Sequence, residues 1–401
     1  MSEIFKGNFT QQEPIPEDAI EAAMSVLKSG RLHRYNVAEG ELSQAALLEQ
    51  EFAAAMGAKF ALAVSSGGYA IATALRAVGV QPGDRVLTNA FTLAPVPGAI
   101  ASLGAEPVFV EVTEALTIDL EDLAAKISQD ADIKVLLLSH MRGHICDMDR
   151  LMQICDAAGV IVVEDCAHTM GARWDGTLSG RHGAMAAYST QTYKHLNSGE
   201  GGVLISDDPD LMARAIMLSG SYMLYERHLA GPPADAFEKV KYVTPNISGR
   251  MDNLRAAILR PQLAQLDGQC AAWNARYAEV ERGLENTPGL TVITRPDAEA
   301  YVMSSFQFLL LDWSDADVNK VLARCGARGV ELKWFGGAEP TGFTSRYDSW
   351  RYADTPDMPK TNRILRGVLD LRLPLTFSVE DCAQIARIIR DEVSMVYQAA
   401  E

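Results

Sequence analysis

Several things are missing from this chain, and each absence removes a class of function. No apolar run reaches the roughly 18 uninterrupted residues that a membrane-spanning helix needs. The opening Met1-Ser2-Glu3-Ile4-Phe5 lacks the basic start and apolar stretch of a secretory leader, so a cytoplasmic location is expected. Positive charge is scarce: 36 Lys and Arg stand against 52 Asp and Glu, a formal net charge of -16. Nucleic acids are gripped by concentrated basic surface that displaces counterions, and they are set aside as partners. The six cysteines (Cys146, Cys155, Cys166, Cys270, Cys325, Cys382) form no C-x-x-C pair and no Cys/His spacing suited to zinc. They read as reduced thiols, and no metal site is expected. What is present is globular in character, with 48% hydrophobic and 22% charged residues among 401, enough for a large domain and a smaller one.

Short apolar runs alternate with helical spacing through the first half of the chain. Phe60–Val64, Arg85–Thr88, Pro107–Val112, Val135–Ser139 and Val160–Glu164 read as strands. Between them Ala70–Val78, Val96–Ser102, Asp119–Ser128 and Asp149–Ala158 read as helices. This alternation predicts an α/β fold with a mostly parallel sheet covered on both faces. A further helix is expected over Asp210–Leu218. The Gly- and Pro-containing stretch Ala230–Pro245 reads as a loop or flap outside the core. From Asp252 to about Glu285 a long amphipathic helix is expected, interrupted or bent near Pro261. The domain boundary is placed there. Residues 1–260 form a large domain with an N-terminal arm, and residues 261–401 a smaller C-terminal α/β domain that includes the connecting helix. Strands Ser305–Leu311 and Val330–Trp334 and helices Ala316–Cys325 and Val379–Tyr397 belong to the latter.

Chemistry concentrates at Val163-Glu164-Asp165-Cys166-Ala167-His168, which ends an apolar strand, and at Lys194 beyond it. In an open α/β sheet, ligands collect at the carboxyl ends of strands. A carboxylate there can keep the pyridine nitrogen of pyridoxal phosphate (PLP) protonated, so that the ring accepts electrons. A lysine of lowered pKa can form the imine and move the proton. Asp165 and Lys194 can fill these roles, although a strand-end Asp is as readily a cap, and a lone lysine a solvated charge.

Around the lysine runs Tyr188-Ser189-Thr190-Gln191-Thr192-Tyr193-Lys194-His195-Leu196-Asn197-Ser198-Gly199-Glu200-Gly201-Gly202. Here the chain resembles the DegT/DnrJ/EryC1/StrS family of sugar aminotransferases, whose lysine sits in a Ser-x4-Lys-x4-Gly-Glu-Gly-Gly arrangement. The likeness covers nearly the whole chain, through Ser66-Gly67, Gly83-Asp84-Arg85-Val86, Phe91-Thr92, Glu164 to His168, Arg250-Met251, Ala256-Ala257 and Gln262-Leu263. It implies a fold-type-I PLP-dependent transferase in which Lys194 holds the cofactor as a Schiff base. Asp165 would pair with the pyridine nitrogen, and His168 would lie by the ring near its phenolic oxygen.

Ser66-Gly67-Gly68-Tyr69 also has a reading of its own. A glycine-rich strand-to-helix turn exposes backbone N–H groups that suit a phosphate, though such a turn is often an ordinary loop. Where the family has Thr this chain has Gly68, so the Gly67 and Gly68 donors and the Ser189 hydroxyl would have to suffice. Leu93 stands where the family often stacks an aromatic on the cofactor ring. The family's Asn, two residues before the Arg-Met pair, reaches the phosphate of the neighbouring subunit; Ser248 holds that place here, with Asn246 two residues earlier, and one of the two is expected to serve.

The resemblance implies amino transfer from glutamate or glutamine to a keto-sugar, nucleotide-linked, or to a keto-cyclitol. The route would be ping-pong, in a homodimer with shared sites. The family's sugar dehydratases replace the lysine by histidine, and a non-catalytic regulatory relative would have lost the lysine or its aspartate; both residues are present here. For the acceptor, the stretch Gly30-Arg31-Leu32-His33-Arg34-Tyr35-Asn36 is a candidate, its cations able to meet a pyrophosphate. Lys333-Trp334-Phe335 and the loop of Tyr225, Arg227 and His228 are others.

Overall fold

In the computed structural model, which describes residues 3–400, the apolar runs pair into a seven-stranded sheet. Its strands are β1 (Phe60–Val64), β2 (Arg85–Asn89), β3 (Glu106–Val110), β4 (Val135–Ser139) and β5 (Ile161–Asp165), then, after a short hairpin of β6 (Arg173–Trp174) and β7 (Thr177–Leu178), β8 (Met185–Ser189) and β9 (Gly202–Ser206). In space they run β1-β9-β8-β5-β4-β2-β3. All neighbours from β8 to β3 are parallel, and β9 alone runs against β8 and β1. The expected mostly parallel α/β sheet is therefore what forms.

The sheet is covered on both sides because each strand is apolar on both faces. Leu136 and Leu138 of β4 enter one core with Leu48, Phe52 and Leu151, while Leu137 enters the other with Ile71, Leu75 and Ile216. Each such side chain contributes about 1.5–3 kcal/mol by leaving water. After α1 (Glu17–Ser29), α2 (Gln44–Met56) and later helices close the first core, and α3 (Gly67–Ala77) and α4 (Pro95–Ser102) the second. Next along the chain come α5 (Leu120–Gln129), α6 (Met148–Ala158), α7 (Pro209–Ser219) and α8 (Ala234–Glu238).

Helix α8 corrects one expectation. Ala230–Pro245 is not a flap outside the core: Phe237 is buried and stacks on Tyr225 with ring centroids 4.1 Å apart, and Ala236 and Val240 join it over α3 and α7. The apolar spacing Ala236-Phe237-Val240 outweighs the flanking glycine and prolines. The long helix is interrupted near Pro261, as expected, though not by the proline itself. Pro261 lies inside α9 (Asn253–Ala264) without ending it, and the chain breaks at Gln265 before α10 (Leu266–Leu284).

Helix α10 bridges two cores, with Trp273 in the first and Tyr277, Val280 and Leu284 in a third. That third core lies under an antiparallel sheet of order β10-β12-β14-β13, made by β10 (Thr291–Val292), β12 (Ser305–Leu309), β13 (Lys333–Trp334) and β14 (Val368–Arg372); β11 (Glu299–Ala300) pairs with β6 instead. Helices α11 (Asp315–Ala327), α12 (Pro359–Gly367) and α13 (Val379–Ala400) complete this part. The start of the chain docks here too, Phe5 and Phe9 meeting Phe377 edge-on at 5.0 and 4.9 Å. Among the described residues no helix is long and apolar enough to cross a membrane.

Candidate active site

The carboxyl ends of β2, β4, β5 and β8 bring Asn89, Ser139, Asp165 and Ser189 to one edge of the sheet. Asn89 ties two of these strands, accepting from Ser139 N at 2.9 Å and donating to Ser139 O at 3.1 Å. Thr92 Oγ1 donates to Ser139 Oγ (2.8 Å), which donates to Asp165 Oδ2 (3.0 Å); Ala167 N donates to Asp165 Oδ1 (3.1 Å). Asp165 is thus held in one orientation. Burial pushes its carboxyl above the usual range, against the opposing pull of Lys194. A carboxyl placed this way gains most from a cation set beside it.

Lys194 lies past the end of β8, in a turn closed by Lys194 N donating to Gln191 O (2.8 Å). Its Nζ is 2.8 Å from His168 Nε2. Burial, then the charge of Arg142 and that of Arg372, bring its ammonium down to about 7 while Asp165 pulls the other way. Burial and Lys194 hold the His168 imidazolium well below its ordinary range. The neutral imidazole therefore accepts from the lysine through Nε2, and the lysine is available as a free amine near neutral pH.

The turn after the lysine returns the chain as β9. Gly199 and Gly201 have φ of 79° and 153°, and a side chain at Gly201 would strike Thr190 and Met251. Gly202 then enters β9 opposite Val64, at the foot of α3. Ser66 caps α3, its Oγ accepting from Tyr69 N (3.1 Å), which leaves the N–H groups of Gly67 and Gly68 without intrahelical acceptors. Contact here is close, since a Cβ added at Gly67 would lie 2.8 Å from Ser189 Cβ. Ser66, Gly67, Gly68, Ser189, His168 and Lys194 all line one cavity of about 400 Å³, with Asp165 buried below.

These residues fit pyridoxal phosphate. A buried amine of lowered pKa, a buried carboxyl lacking a cation and a helix N-terminus with free donors beside a serine hydroxyl match the aldehyde, ring nitrogen and phosphate of that group. The two departures from the family remain visible. Leu93 lines the cavity where an aromatic would stack. At Gly68 the space is open, the nearest atom to an added Cβ being Pro95 Cβ at 3.7 Å. Gly68→Thr is expected to bind pyridoxal phosphate about fivefold tighter, the gain of one hydrogen bond of about 1 kcal/mol, read by titrating cofactor into stripped protein.

Glu164, beside Asp165 in sequence, points the other way and does different work. It accepts from Gly180 N (2.9 Å), His182 N (2.9 Å), Gly183 N (2.7 Å) and His140 Nε2 (3.0 Å). Burial opposes its ionisation, but the His140 hydrogen bond and charge and the Gly183 donor hold its carboxyl below the usual range. It also comes close to Cys166, yet its oxygens are already taken by these donors. Glu164→Ala leaves these donors without a partner and should lower unfolding free energy by about 3–5 kcal/mol in urea denaturation.

Other expected residues fall elsewhere. Asn246 and Ser248 lie outside the cavity on an exposed loop, where Ser248 N donates to Asn246 Oδ1 (3.1 Å) and Arg250 Nη1 donates to Ser248 Oγ (3.2 Å). Arg34 is not available to a pyrophosphate. It is buried and bidentate to Glu49 (2.8 and 2.9 Å), which also accepts from Ala63 N (2.9 Å) and meets His228 Nδ1 (3.1 Å). Charge balance explains the correction: Arg34 and His228 hold the buried Glu49 carboxyl at about 2 despite its desolvation. Arg142, Tyr193 and Arg372 line the cavity without having been singled out from the sequence. Arg142 lies three residues beyond the end of β4, so its place near a strand's carboxyl end was legible; nothing local marks Arg372.

The sequence model of the DegT/DnrJ/EryC1/StrS aminotransferase family matches residues 14–390. The chain is 35% identical over 269 residues to 3-amino-5-hydroxybenzoate synthase of Amycolatopsis mediterranei, covering 65% of each chain. It is 33% identical over 280 residues to dTDP-3-amino-3,4,6-trideoxy-alpha-D-glucose transaminase of Streptomyces venezuelae, covering 69% of this chain and 68% of that one. With two of the curated relatives it shares 64% and 65% of their length. A crystal structure of 3-amino-5-hydroxybenzoic acid synthase superimposes with a TM-score of 0.81 at 26% identity, over 97% of this chain and 99% of that one. From near its start to near its end, the chain belongs to the DegT/DnrJ/EryC1/StrS aminotransferases, a pyridoxal-phosphate-dependent family.

Proposed function

We propose that the protein transfers an amino group from glutamate or glutamine to a keto-sugar or keto-cyclitol, in two half-reactions at the Lys194 site. The observation that carries this reading is the buried Lys194 amine, 2.8 Å from His168 and set among Asp165, Ser189 and the α3 N-terminus. Pyridoxal phosphate supplies an electron sink when bound. The chain's own residues do the rest. Gly67 and Gly68 N–H groups and the Ser189 hydroxyl hold the phosphate, and Asp165, oriented by Ser139 and Ala167, fixes a proton on the ring nitrogen. Lys194 would bind the cofactor and, once released from it, move the substrate proton, with His168 placed to accept from the free amine.

A homodimer fits the loop that carries Asn246 and Ser248. Beside them Tyr242 and Val243 are 81% and 78% exposed, with Ile247, Tyr222 and Met223 also uncovered, an apolar patch suited to a second copy. In that assembly Asn246 or Ser248 of the partner subunit would reach the phosphate. Tyr242→Asp combined with Val243→Asp is expected to give monomers by sedimentation and to weaken cofactor binding; full cofactor affinity in a monomer would refute the shared site.

The function is tested on the cofactor-loaded protein. Glutamine or glutamate alone should bleach the visible absorbance of the lysine-bound cofactor, and a keto-sugar or keto-cyclitol should restore it. Absorbance that no amino donor changes would overturn the assignment.

A further inference from the structure

The cavity holds cationic groups that the cofactor does not need. Arg372, the last residue of β14, lies with its guanidinium carbon 3.7 Å from the centre of the Tyr193 ring, next in sequence to Lys194. Among the described residues it has no hydrogen-bond or ion-pair partner. Arg142, in the turn after β4 at φ 56°, is 8% exposed and lines the same cavity. Its Nη2 is 3.0 Å from Asp370 Oδ2, which supplies one negative charge, yet Nε and Nη2 make no hydrogen bond. Lys333 Nζ sits 5.7 Å from the ring centre of Phe343, at the cavity's edge. On the acidic side are Glu200 in the cavity lining, Asp165 below it and Asp370. Among the described residues Arg372 and Lys333 have no ion-pair partner, and of the two it is Arg372 that lines the cavity.

A guanidinium lying flat on an aromatic ring keeps its edge donors free, and that planar fork matches a carboxylate with two parallel hydrogen bonds. Its position narrows the choice of anion. Arg142 and Arg372 both act on the charge of Lys194, so both lie near the nitrogen that reacts. An anion held there is a few bonds from the reacting carbon, closer than the diphosphate of a nucleotide sugar stands to its ketone. The two substrates of a ping-pong enzyme occupy one place in turn. An uncharged acceptor would leave the half-buried Arg372 without a partner in the second half-reaction, where an anionic one would fill its free donors.

We infer that the acceptor is a small ring ketone bearing a carboxylate, and that Arg372, supported by Arg142, is the residue that selects it. This rests on the aminotransferase reading above and names its acceptor class. The test uses the pyridoxamine-loaded protein with two probe pairs, benzoate against benzamide for binding by calorimetry, and 3-oxocyclohexanecarboxylate against its carboxamide for recovery of visible absorbance. Wild type should favour each carboxylate by about tenfold or more, the worth of a charge-assisted hydrogen-bond pair. Arg372→Gln should erase the preference while keeping its cofactor absorbance and Tm, and Arg372→Lys should keep part of it.

Equal binding of benzoate and benzamide to wild type, or a preference that survives in Arg372→Gln, overturns the inference. So does a variant that slows only the glutamine half-reaction, which would give Arg372 to the donor's carboxylate. The function itself fails separately, if neither glutamine nor glutamate bleaches the wild-type cofactor, whatever the benzoate result.

Discussion

Lys194→Ala protein should fold, bind little cofactor and show neither turnover nor the visible absorbance of the lysine-bound form. The expected fall in kcat is at least about 10⁴-fold, because the residue both anchors the cofactor and carries the proton. His168 is 2.8 Å from the lost amine, but its imidazolium is held well below its ordinary range and cannot replace a nucleophile that forms the cofactor bond. A variant that kept both signals would end the assignment. The same amine sets a pH dependence. Its pKa of about 7 in the folded protein is below its ordinary 10.5, so between these values the unfolded chain holds more protons. Stability of the cofactor-free protein from this group therefore rises with pH across that window, and the amine is free above about 7. Stopped-flow capture of pyridoxal phosphate should accelerate as pH rises through about 7 and level off above it; a flat profile would contradict a buried, neutral lysine.

Asp165→Asn is expected to be the next most damaging change, lowering kcat by about 10²–10³-fold at matched cofactor loading. The amide keeps the size of the carboxyl and can still accept from Ala167 N, so the fold should stand. What it loses is the negative charge that fixes a proton on the facing nitrogen. Because burial already raises this carboxyl, its ionised form depends on a cation beside it, and the Thr92–Ser139–Asp165 chain of hydrogen bonds helps keep it ionised. Ser139→Ala should accordingly cost a smaller factor of about tenfold, one hydrogen bond to a charged group. Steady-state kinetics on fully loaded Asp165→Asn check the argument, and activity within tenfold of wild type would refute the role.

The parts of this site that could be read from sequence are those whose chemistry is local. Asp165 and His168 share one strand end, and Ser189, Lys194 and the Gly199-Glu200-Gly201-Gly202 turn share another, so short-range pattern places them together. The direction of Glu164 was also implicit, since neighbours in a strand face opposite sides. Residues brought together by long-range pairing were not legible. Arg372 reaches the cavity from β14, whose register with β12 and β13 brings it there. Arg34 has the look of a surface cation until Glu49 and His228, from α2 and a distant loop, enclose it. Strand β8, Met185-Ala186-Ala187-Tyr188-Ser189, lacks the β-branched residues that mark a strand and forms because both its neighbours in the sheet require it. Helix α8 was hidden by Gly231, Pro232 and Pro233, which shape its approach and not its apolar face.

The docking of Phe5 and Phe9 against Phe377 has a bearing on how the molecule is made. Phe5 and Phe9 leave the ribosome several hundred residues before the surface that receives them, where Arg328 O accepts from Phe5 N at 2.8 Å. The segment that carries them must wait, uncovered, until Phe377 has been made before it can close onto its seat, a loop of several hundred residues. Closure of this seam is then a late step of maturation, and Phe377→Ala should slow it without touching the chemistry of Lys194.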